Sequence, residues 1–376
     1  MAPMGILPTL RLAEAPRAAA PRFASLDQFR GYTVAGMFLV NFAGHFACAH
    51  PQLRHHRTFA SYADTIMPQF FFAMGFAYRL THVRLAAQLG ARAAWGRAIG
   101  RQASLLLVAV FAHGFDRAAS TWDEARAMGL AAWAVGTFGG SYFQTLTHLA
   151  VTALWMLPVI GRGSGAIAVH AVASGALHLT LSHAGWFEWL HVHRTIDGGM
   201  LGFLSWTLPV AAGALAHDLA VRARPTRAAP ALLLAGTGTM VAGYALACIG
   251  ATFHAGAWAL DAPPFCPPSR PVDVWTMSQK SGSVSYQAFG AGFSLAIYAL
   301  FVAGTDLRGW TLGVFRLLGQ AALVGYLLHG LVAEVVQKAV PQDAPAWAVA
   351  GGFAAYFAIT CAALALLARN RIELRL

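Results

Sequence analysis

Charged residues are scarce in this 376-residue chain. Asp, Glu, Lys and Arg make up only 11% of it, while 57% of the residues are hydrophobic; ordinary soluble domains have roughly 25% charged residues. That deficit excludes a water-soluble globular protein. The apolar residues fall in blocks of roughly 17 to 25, the length that an α-helix needs to cross the hydrocarbon core of a bilayer. The sequence therefore predicts an all-α fold, a polytopic bundle of transmembrane helices with the lipid bilayer as a partner.

Ten such blocks predict ten membrane spans. Their predicted extents are 31–49, 62–81, 102–115, 140–160, 164–182, 199–220, 231–253, 287–304, 316–336 and 346–368. The semi-apolar stretch 128–140 is predicted to form a re-entrant or interfacial helix, and 254–286 is the longest loop. Residues 1–24 lack the sustained apolar core of a signal peptide, so we expect a cytoplasmic N-terminal tail followed by a single transmembrane domain over 25–376.

The net charge of +11 comes from basic residues whose placement predicts the orientation of the chain. With the N-terminus in the cytoplasm, 18 of the 26 Lys and Arg residues lie on or near the cytoplasmic side and 8 lie on the other side. Cytoplasmic loops of membrane proteins carry such an excess. We therefore expect an integral membrane protein with both termini in the cytoplasm, in the inner membrane if it is bacterial. Orientation accounts for the charge, so no nucleic-acid partner is expected.

Cysteine is also rare, and the motifs of several common enzyme classes are missing. The four cysteines are scattered, without a CxxC pair or a metal-binding spacing. Cys48 and Cys266 could both face the oxidising side, which leaves a disulfide between them open. The chain has no GxSxG nucleophile elbow, P-loop or dinucleotide-binding fingerprint in a strand–helix context. Any chemistry must therefore come from polar residues within or beside the spans.

The first polar cluster is SLDQFRGYTVAGMFLVN, residues 25–41. Asp27 and Arg30 are three residues apart and share a helix face, where they can pair. Arg30 could equally be a snorkelling anchor of the first span. Asn41 lies deep in the apolar run, so its amide is expected either to join helices or to belong to a site.

The second polar cluster is LRHHRTFASYADTIMPQFFF, residues 53–72. Ser61 followed by Asp64 resembles a capping box, which gives Asp64 a purely structural interpretation. His55 and His56 titrate near physiological pH, and beside a carboxylate they could act as a general base or a nucleophile. The alternative is an ordinary exposed loop with a histidine pair.

A zinc site is a further possibility on the outer side. Its candidate ligands are His55, His56, His183, His191, His193 and Asp197. Spacing along the chain does not show that they converge, so no metal is predicted.

Five stretches carry a family resemblance. The first, residues 25–41, has the family pattern SLDxFRGxTxAxMxxVN. The second, SYADTIMPQFFFAMGFAYRLT from Ser61 onward, is similar to the pattern TxADLxFPxFxFxxGxS. Three looser ones are YFQTLTHLAVTALWMLP, QKSGSVSYQAFGAGFSLAIYALF and RLLGQAALVGYLLHGL. In this order, over nearly the whole chain, they resemble the heparan-α-glucosaminide N-acetyltransferase-like family. Two positions depart from the family patterns: Gly282 stands where LWTxSY has Trp, and Ala321 where GxNxL has Asn.

The resemblance implies a multispan acyltransferase-like domain. In such a protein an acyl group, acetyl in the best-known members, passes from cytoplasmic acyl-CoA to a sugar amine or hydroxyl across the membrane. It also implies a glycan or glycolipid acceptor and allows a homodimer. The functional histidine maps to His56, or failing that to His55. The predicted catalytic residues are His56, His55, Asp64 and Asn41; those for acyl-CoA are Arg30, Arg84, Arg97, Arg101 and Gln144; those for the acceptor are Lys280, Ser285 and Tyr286.

Two other functions stay open at this point. A transporter or flippase for small molecules or lipid-linked sugars would use polar residues inside the spans as a proton relay. The candidates for that relay are His113, His148, His170 and His178. A non-catalytic scaffold would tolerate changes at both His55 and His56.

Overall fold

The computed structural model describes residues 10–12, 23–138, 142–193, 195–370 and 372–374. Most of this part of the chain is helical. The main helices are α1 (Ala24–Ala43), α2 (Tyr62–Leu89), α3 (Ala91–His113), α4 (Trp122–Met128), α5 (Leu130–Phe138), α6 (Thr145–Ile160), α7 (Ser164–Leu181), α8 (Phe187–Val192), α9 (Phe203–Arg222), α10 (Pro225–Ala255), α11 (Val284–Phe301), α12 (Gly313–Gln320), α13 (Ala322–Lys338) and α14 (Ala346–Arg369). The all-α prediction is confirmed in this coarse sense.

Short elements complete the description. Turns of 3₁₀-helix lie at Pro51–Leu53 and Gly199–Leu201, and π-helical turns at Ser182–Trp186 and Val302–Leu307. The strands β1 (Leu10–Leu12) and β2 (Ile372–Leu374) pair antiparallel, so segments near the two ends of the chain lie together. Most of the predicted tail 1–24 lies outside the described residues.

Several helices are long and apolar enough to cross a membrane. Within the described residues there are five such units: Ser164–Val192, Gly199–Arg222, Pro225–Ala255, Val284–Leu307 and Ala346–Arg369. The pair α12 and α13 makes a sixth if it is counted as one span. These helices are consistent with an integral membrane protein, while the predicted number of ten spans is not confirmed.

The structure also changes the predicted extents of individual spans. The fifth span extends past Leu181 to Val192, through a π-helical turn that is kinked at Gly185, where φ is +112°. The ninth is broken at Ala321, where α12 and α13 meet at 96°. The stretch 128–140 contains the short α5, which is largely exposed.

Helices α2 and α9 cross at the centre of the bundle. A Cβ atom on Gly75 would overlap the Val210 carbonyl, and one on Gly213 would overlap the Phe72 carbonyl. Small residues at these two positions therefore let the backbones approach, as is common between membrane helices. The helices bury a core that includes Phe71 stacked on Trp206 at 4.4 Å between ring centroids.

At one end of this crossing, a buried ion pair joins α2 to α9. The Arg79 Nε and Nη2 atoms donate to the two carboxylate oxygens of Asp218 at 3.0 and 3.1 Å. Asp218 also accepts from Ser164 Oγ at 2.7 Å and contacts His217 Nδ1 at 3.2 Å. We call Arg79, Asp218, Ser164 and His217 the inner cluster. It fixes α2 relative to α9 and to the start of α7.

Candidate functional site

The loop between α1 and α2 is held in one shape by hydrogen bonds. Ser61 Oγ donates to the Arg54 carbonyl at 2.7 Å. The Gln52 side chain accepts from the Tyr62 backbone N–H at 3.1 Å and donates to the Phe265 carbonyl at 2.7 Å. Through Gln52 this loop is tied both to the start of α2 and to the long loop before α11. The histidines that follow therefore have a defined position.

Asp64 is fully buried in the first turn of α2. One carboxylate oxygen accepts from the Ser61 backbone N–H at 2.8 Å, and the arrangement is the capping box expected from the sequence. The other oxygen contacts His55 Nδ1 at 2.7 Å. Asp64 thus has both of the roles that the sequence left open, since it caps α2 and also orients a histidine.

A proline and a tyrosine hold the backbone of Asp64. Pro68 lies inside α2, four residues after Asp64, and has no N–H to donate to the Asp64 carbonyl. Tyr286 Oη donates to that carbonyl instead, at 2.7 Å. A side chain from α11 therefore replaces a helix hydrogen bond at the residue that contacts His55, and this couples α11 to the position of the Asp64 carboxylate.

A second acid joins the site through an amide. His55 Nδ1 is also 3.1 Å from Gln279 Oε1, and Gln279 Nε2 donates to Asp197 Oδ1 at 2.9 Å. Both neighbours of Nδ1 are acceptors, so Nδ1 carries the hydrogen and Nε2 is free to accept a proton. We call His55, Asp64, Gln279 and Asp197 the outer cluster.

The two carboxylates shift the protonation equilibria of this cluster. Burial alone would lower the pKa of His55, but the hydrogen bond and charge of Asp64, with a smaller effect of Asp197, raise it above its usual value. Burial raises the pKa of Asp197 to about 7, although the Gln279 bond and the charge of His55 act in the opposite direction. Asp197 therefore titrates near neutral pH, and the Asp64 carboxylate favours the protonated form of His55.

Asp197 also has an unusual backbone. Its φ is +59°, and Gly198 follows with a φ of +83°. Such left-handed conformations are uncommon outside glycine, with Asn and Asp enriched among the exceptions. The Asp197 carbonyl accepts from Trp206 Nε1 at 2.9 Å, and its side chain is 1% exposed. The bond to Trp206 holds the turn against α9, and in this position the Asp197 carboxyl group contacts Gln279.

The outer cluster opens on a cavity of about 890 Å³. The cavity lies between the α1–α2 loop, the first turn of α6, the end of α8 and the loop before α11. His55 lines it with 53% of its side chain exposed, although other groups of the protein surround the ring. Small-molecule sites have typical volumes of roughly 300–1,000 Å³. The cavity therefore has room for a small substrate against the free nitrogen of His55.

The two neighbouring histidines differ in their surroundings. His56 also lines the cavity, but its Nε2 contacts the Pro51 carbonyl at 2.8 Å and its ring stacks on Phe59 at 4.2 Å. Asp64 contacts His55 and has no recorded bond to His56 in the described part of the chain. The sequence-based preference for His56 is not supported by this geometry, because loop conformation decides which ring meets the carboxylate.

Asn41 and Lys280 also line the cavity, as predicted for site residues. Asn41 Nδ2 is 3.0 Å from His329 Nε2. His329 Nδ1 contacts the Tyr326 carbonyl, which can only accept, so Nδ1 carries the hydrogen and Nε2 accepts from Asn41. This neutral histidine fixes the amide orientation and leaves Asn41 one more N–H to donate.

Ser285 and Tyr286 do not line the cavity. Both are buried, and their hydroxyls donate to the Trp275 and Asp64 carbonyls at 2.7 Å each. The prediction that they contact the acceptor is not supported, because the backbone of the protein uses their hydrogen-bonding capacity. Tyr286 acts on the site through Asp64 instead.

Of the residues predicted to bind acyl-CoA, the arginines lie away from this cavity, and Gln144 lies beside it. Arg84, Arg97 and Arg101 are exposed on the second half of α2 and on α3. Arg84 is twenty residues after Asp64 on α2, which places it roughly 30 Å along the helix axis. Arg30 lies eleven residues before Asn41 on α1, roughly 16 Å away. Gln144 is the N-cap residue of α6, beside the cavity-lining Thr145, so the structure separates it from the arginines.

The sequence raised two alternatives, a zinc site and a proton relay of buried histidines. Among the described residues, no group of three His, Cys, Asp or Glu side chains is arranged to hold a metal ion. His148 and His178 are buried in α6 and α7. Neither ring nitrogen of His148 has a partner among the described groups, and the same is true of Nε2 in His170 and in His178. The side chain of His113 lies outside the described residues. All four cysteines are free thiols.

Sequence reasoning did not assign catalytic roles to Gln279, Asp197 or His329. Each of them had a signal in the sequence. Gln279 directly precedes Lys280 in a family-like stretch, and His329 lies near the end of another. Asp197 precedes two glycines, a composition typical of a left-handed turn. The sequence does not show that the turn at Asp197 and the end of α1 line the same cavity.

Comparison of the chain with protein-family models found no match, and comparison with curated proteins found none either.

Proposed function

We propose that this protein is an integral-membrane acyltransferase. It moves an acyl group, acetyl in the simplest case, from cytoplasmic acyl-CoA to a sugar amine or hydroxyl on the opposite side of the membrane. The observation that carries the proposal is the Asp64–His55 contact of 2.7 Å, with the free Nε2 of His55 beside a cavity of about 890 Å³. The family resemblance of the sequence stretches supports it.

In this proposal His55 is the general base. Its Nε2 takes the proton of the acceptor amine or hydroxyl, whose N or O atom then attacks the thioester carbonyl. The C–S bond breaks, and the CoA thiolate leaves and takes up the proton. Asp64 holds the Nδ1–H tautomer and stabilises the imidazolium that forms. The remaining amide N–H of Asn41 is the proposed donor to the developing oxyanion.

The proposed topology is the full set of ten spans with both termini cytoplasmic. Helices α1, α2, α3 and α6 would be the spans that are less apolar than the others. Three of them contribute polar residues at the site, Asn41 from α1, Asp64 from α2 and Thr145 from α6. Polar residues in membrane helices face the bundle interior. The exposed arginines of α2 and α3 would then lie on the cytoplasmic side, where they attract the phosphates of acyl-CoA. The pairing of β1 with β2 supports termini on one side.

The two adjacent histidines provide the test. We expect His55→Gln to lower acetyl transfer to glucosamine by roughly 10²- to 10⁴-fold, as is typical for the loss of a general base. His56→Gln, the matched control in the same loop, should retain most of the activity. The measurement is acetyl-CoA consumption by purified protein in mild detergent, normalised to folded protein. Full activity of a folded His55→Gln variant would refute the proposal.

A transporter is the second candidate, and one observation favours it. His148 is completely buried and both of its ring nitrogens lack a partner among the described groups. Such a residue inside a membrane bundle suits a proton pathway. Sugar uptake into proteoliposomes that is lost in His148→Phe, and that needs no acyl-CoA, would support this candidate over the acyltransferase.

A further inference from the structure

Two basic side chains stand together at the mouth of the cavity without an acidic partner. Arg57 and Lys280 both line it. In the described part of the chain, no carboxylate forms an ion pair with either of them. Lys280 Nζ has a long contact of 3.5 Å to the His191 carbonyl, which leaves its other N–H groups free. Burial and the nearby charge of Arg57 lower the pKa of Lys280.

Backbone hydrogen bonds fix the loops that carry Arg57 and Lys280. Ser278 Oγ, which is fully buried, donates to the Arg57 carbonyl at 2.7 Å. The Gly198 N–H donates to the Lys280 carbonyl at 3.0 Å. The loop before α11 is therefore tied both to the α1–α2 loop and to the turn after α8. Like charges held together disfavour each other, and a bound anion relieves that repulsion.

The other ionisable groups of the cavity do not neutralise the pair. His191 and His193 use Nδ1–H on the Phe187 and Trp189 carbonyls, each at 2.8 Å, and present Nε2. Asp197 is the acidic residue that lines the cavity, and its carboxylate is engaged by Gln279. The basic pair therefore leaves positive charge on this side of the cavity, which raises the local concentration of anions.

We propose that Arg57 and Lys280 form an anion subsite that binds a phosphate group on the acceptor sugar, next to the amine or hydroxyl that His55 deprotonates. Two cations match the charge of a phosphate monoester, which is roughly −1.5 to −2 at pH 7. A guanidinium offers paired donors and an ammonium a point charge, a combination that suits the several oxygens of phosphate. The identity of the acceptor as a sugar rests on the proposed function.

Binding of matched sugars tests the subsite without acyl transfer. We expect isothermal titration calorimetry to show tighter binding of glucosamine 6-phosphate than of glucosamine to the purified protein. Arg57→Gln and Lys280→Gln should each weaken the phosphate sugar about tenfold, in line with a hydrogen bond between charged groups. Lys338→Gln is the control, since Lys338 is an exposed lysine paired with Glu334 away from the cavity. Raising the salt concentration should reduce the difference between the sugars.

A second pair of measurements separates this inference from the proposed function. His55→Gln should still bind glucosamine 6-phosphate while losing transfer. Phosphate-dependent binding with no acyl transfer to any sugar keeps the subsite and refutes only the acyltransferase. Equal binding of the two sugars, or no change in the Arg57→Gln/Lys280→Gln double variant, overturns the subsite.

The source of the phosphate is tested with nanodiscs and with CoA. Selective retention of phosphatidylglycerol over phosphatidylcholine that depends on both cations, without glucosamine 6-phosphate binding, would assign the subsite to a lipid headgroup and overturn the sugar phosphate. Loss of CoA binding in the double variant would show that the cations serve the donor, which also overturns the inference. Sugar-phosphate binding that the lipid does not compete for supports it.

Discussion

The inner and outer clusters each combine a buried aspartate with a histidine. They differ in whether the cluster reaches a cavity. In the inner cluster Asp218 accepts from Arg79 and Ser164, and the side chains of Arg79 and Asp218 are 8% and 9% exposed. In the outer cluster Asp64 is equally buried, yet its partner His55 is 53% exposed. The residues of the inner cluster bond to one another, whereas the outer cluster includes His55, which lines a cavity.

The difference shows which feature of a buried charge points to chemistry. An ionisable residue in a membrane protein is a functional candidate by default, but Asp218 meets that criterion and binds only groups of the protein. In the inner cluster the acceptor oxygens are used to fix helix ends. In the outer cluster one acceptor orients a histidine, and the histidine has capacity left for a substrate. Free hydrogen-bonding capacity beside a cavity, rather than burial, separates the two.

The largest expected effect comes from breaking the inner cluster. Arg79→Met leaves the Asp218 carboxylate buried without its cation, and we expect a loss of about 3–5 kcal/mol in the free energy of unfolding. The double variant Arg79→Met/Asp218→Leu replaces the pair by apolar groups and should recover most of that loss. His55→Gln should change stability little, because the ring is half exposed. SDS titration in mild detergent measures all three. If Arg79→Met were as stable as the wild type, the inner cluster would not be a structural tie.

A smaller effect is expected from pH, and it is specific to the outer cluster. Burial raises the pKa of Asp197 to about 7 in the fold, from its ordinary value of 3.8. The folded state therefore binds more protons than the unfolded state between these values, and stability falls as the pH rises from about 4 to 7. One such group contributes at most about 1.4 kcal/mol per pH unit.

Asp197→Asn tests this pH effect without changing the local geometry. Asn tolerates the left-handed backbone and keeps an acceptor for Gln279. We expect the Tm of the variant minus that of the wild type to increase as the pH rises through this range. Parallel Tm curves for the two proteins would show that Asp197 does not titrate there.

The smallest expected effect concerns the support of Asp64. Tyr286→Phe leaves the buried Asp64 carbonyl without a donor, which should cost about 1–3 kcal/mol. Pro68→Ala restores a backbone N–H to α2, so it should recover much of the loss in the double variant. Tm values of the two single variants and the double variant form the test. Strictly additive changes would mean that Tyr286 does not stand in for the missing helix bond.

Much of the fold could be predicted because apolar blocks of span length leave few choices other than a helix. Asn41, His55 and Lys280 were named as site residues from separate stretches of the sequence, and all three line one cavity. The break at Ala321 could not be predicted, since alanine favours helix and only packing reveals the bend. The choice between His55 and His56 depended on a loop shape that hydrogen bonds set, which no periodicity encodes.

The bond between Tyr286 and Asp64 has a consequence for the order of synthesis. The two residues are 222 positions apart, and the carbonyl of Asp64 has no helix donor because of Pro68. Chains grow at about 5–20 residues per second, so the tyrosine follows on the order of 10 to 40 s later. During that interval α2 is incomplete at the turn that carries the carboxylate. The site of the nascent protein is therefore assembled only after α11 has emerged from the ribosome.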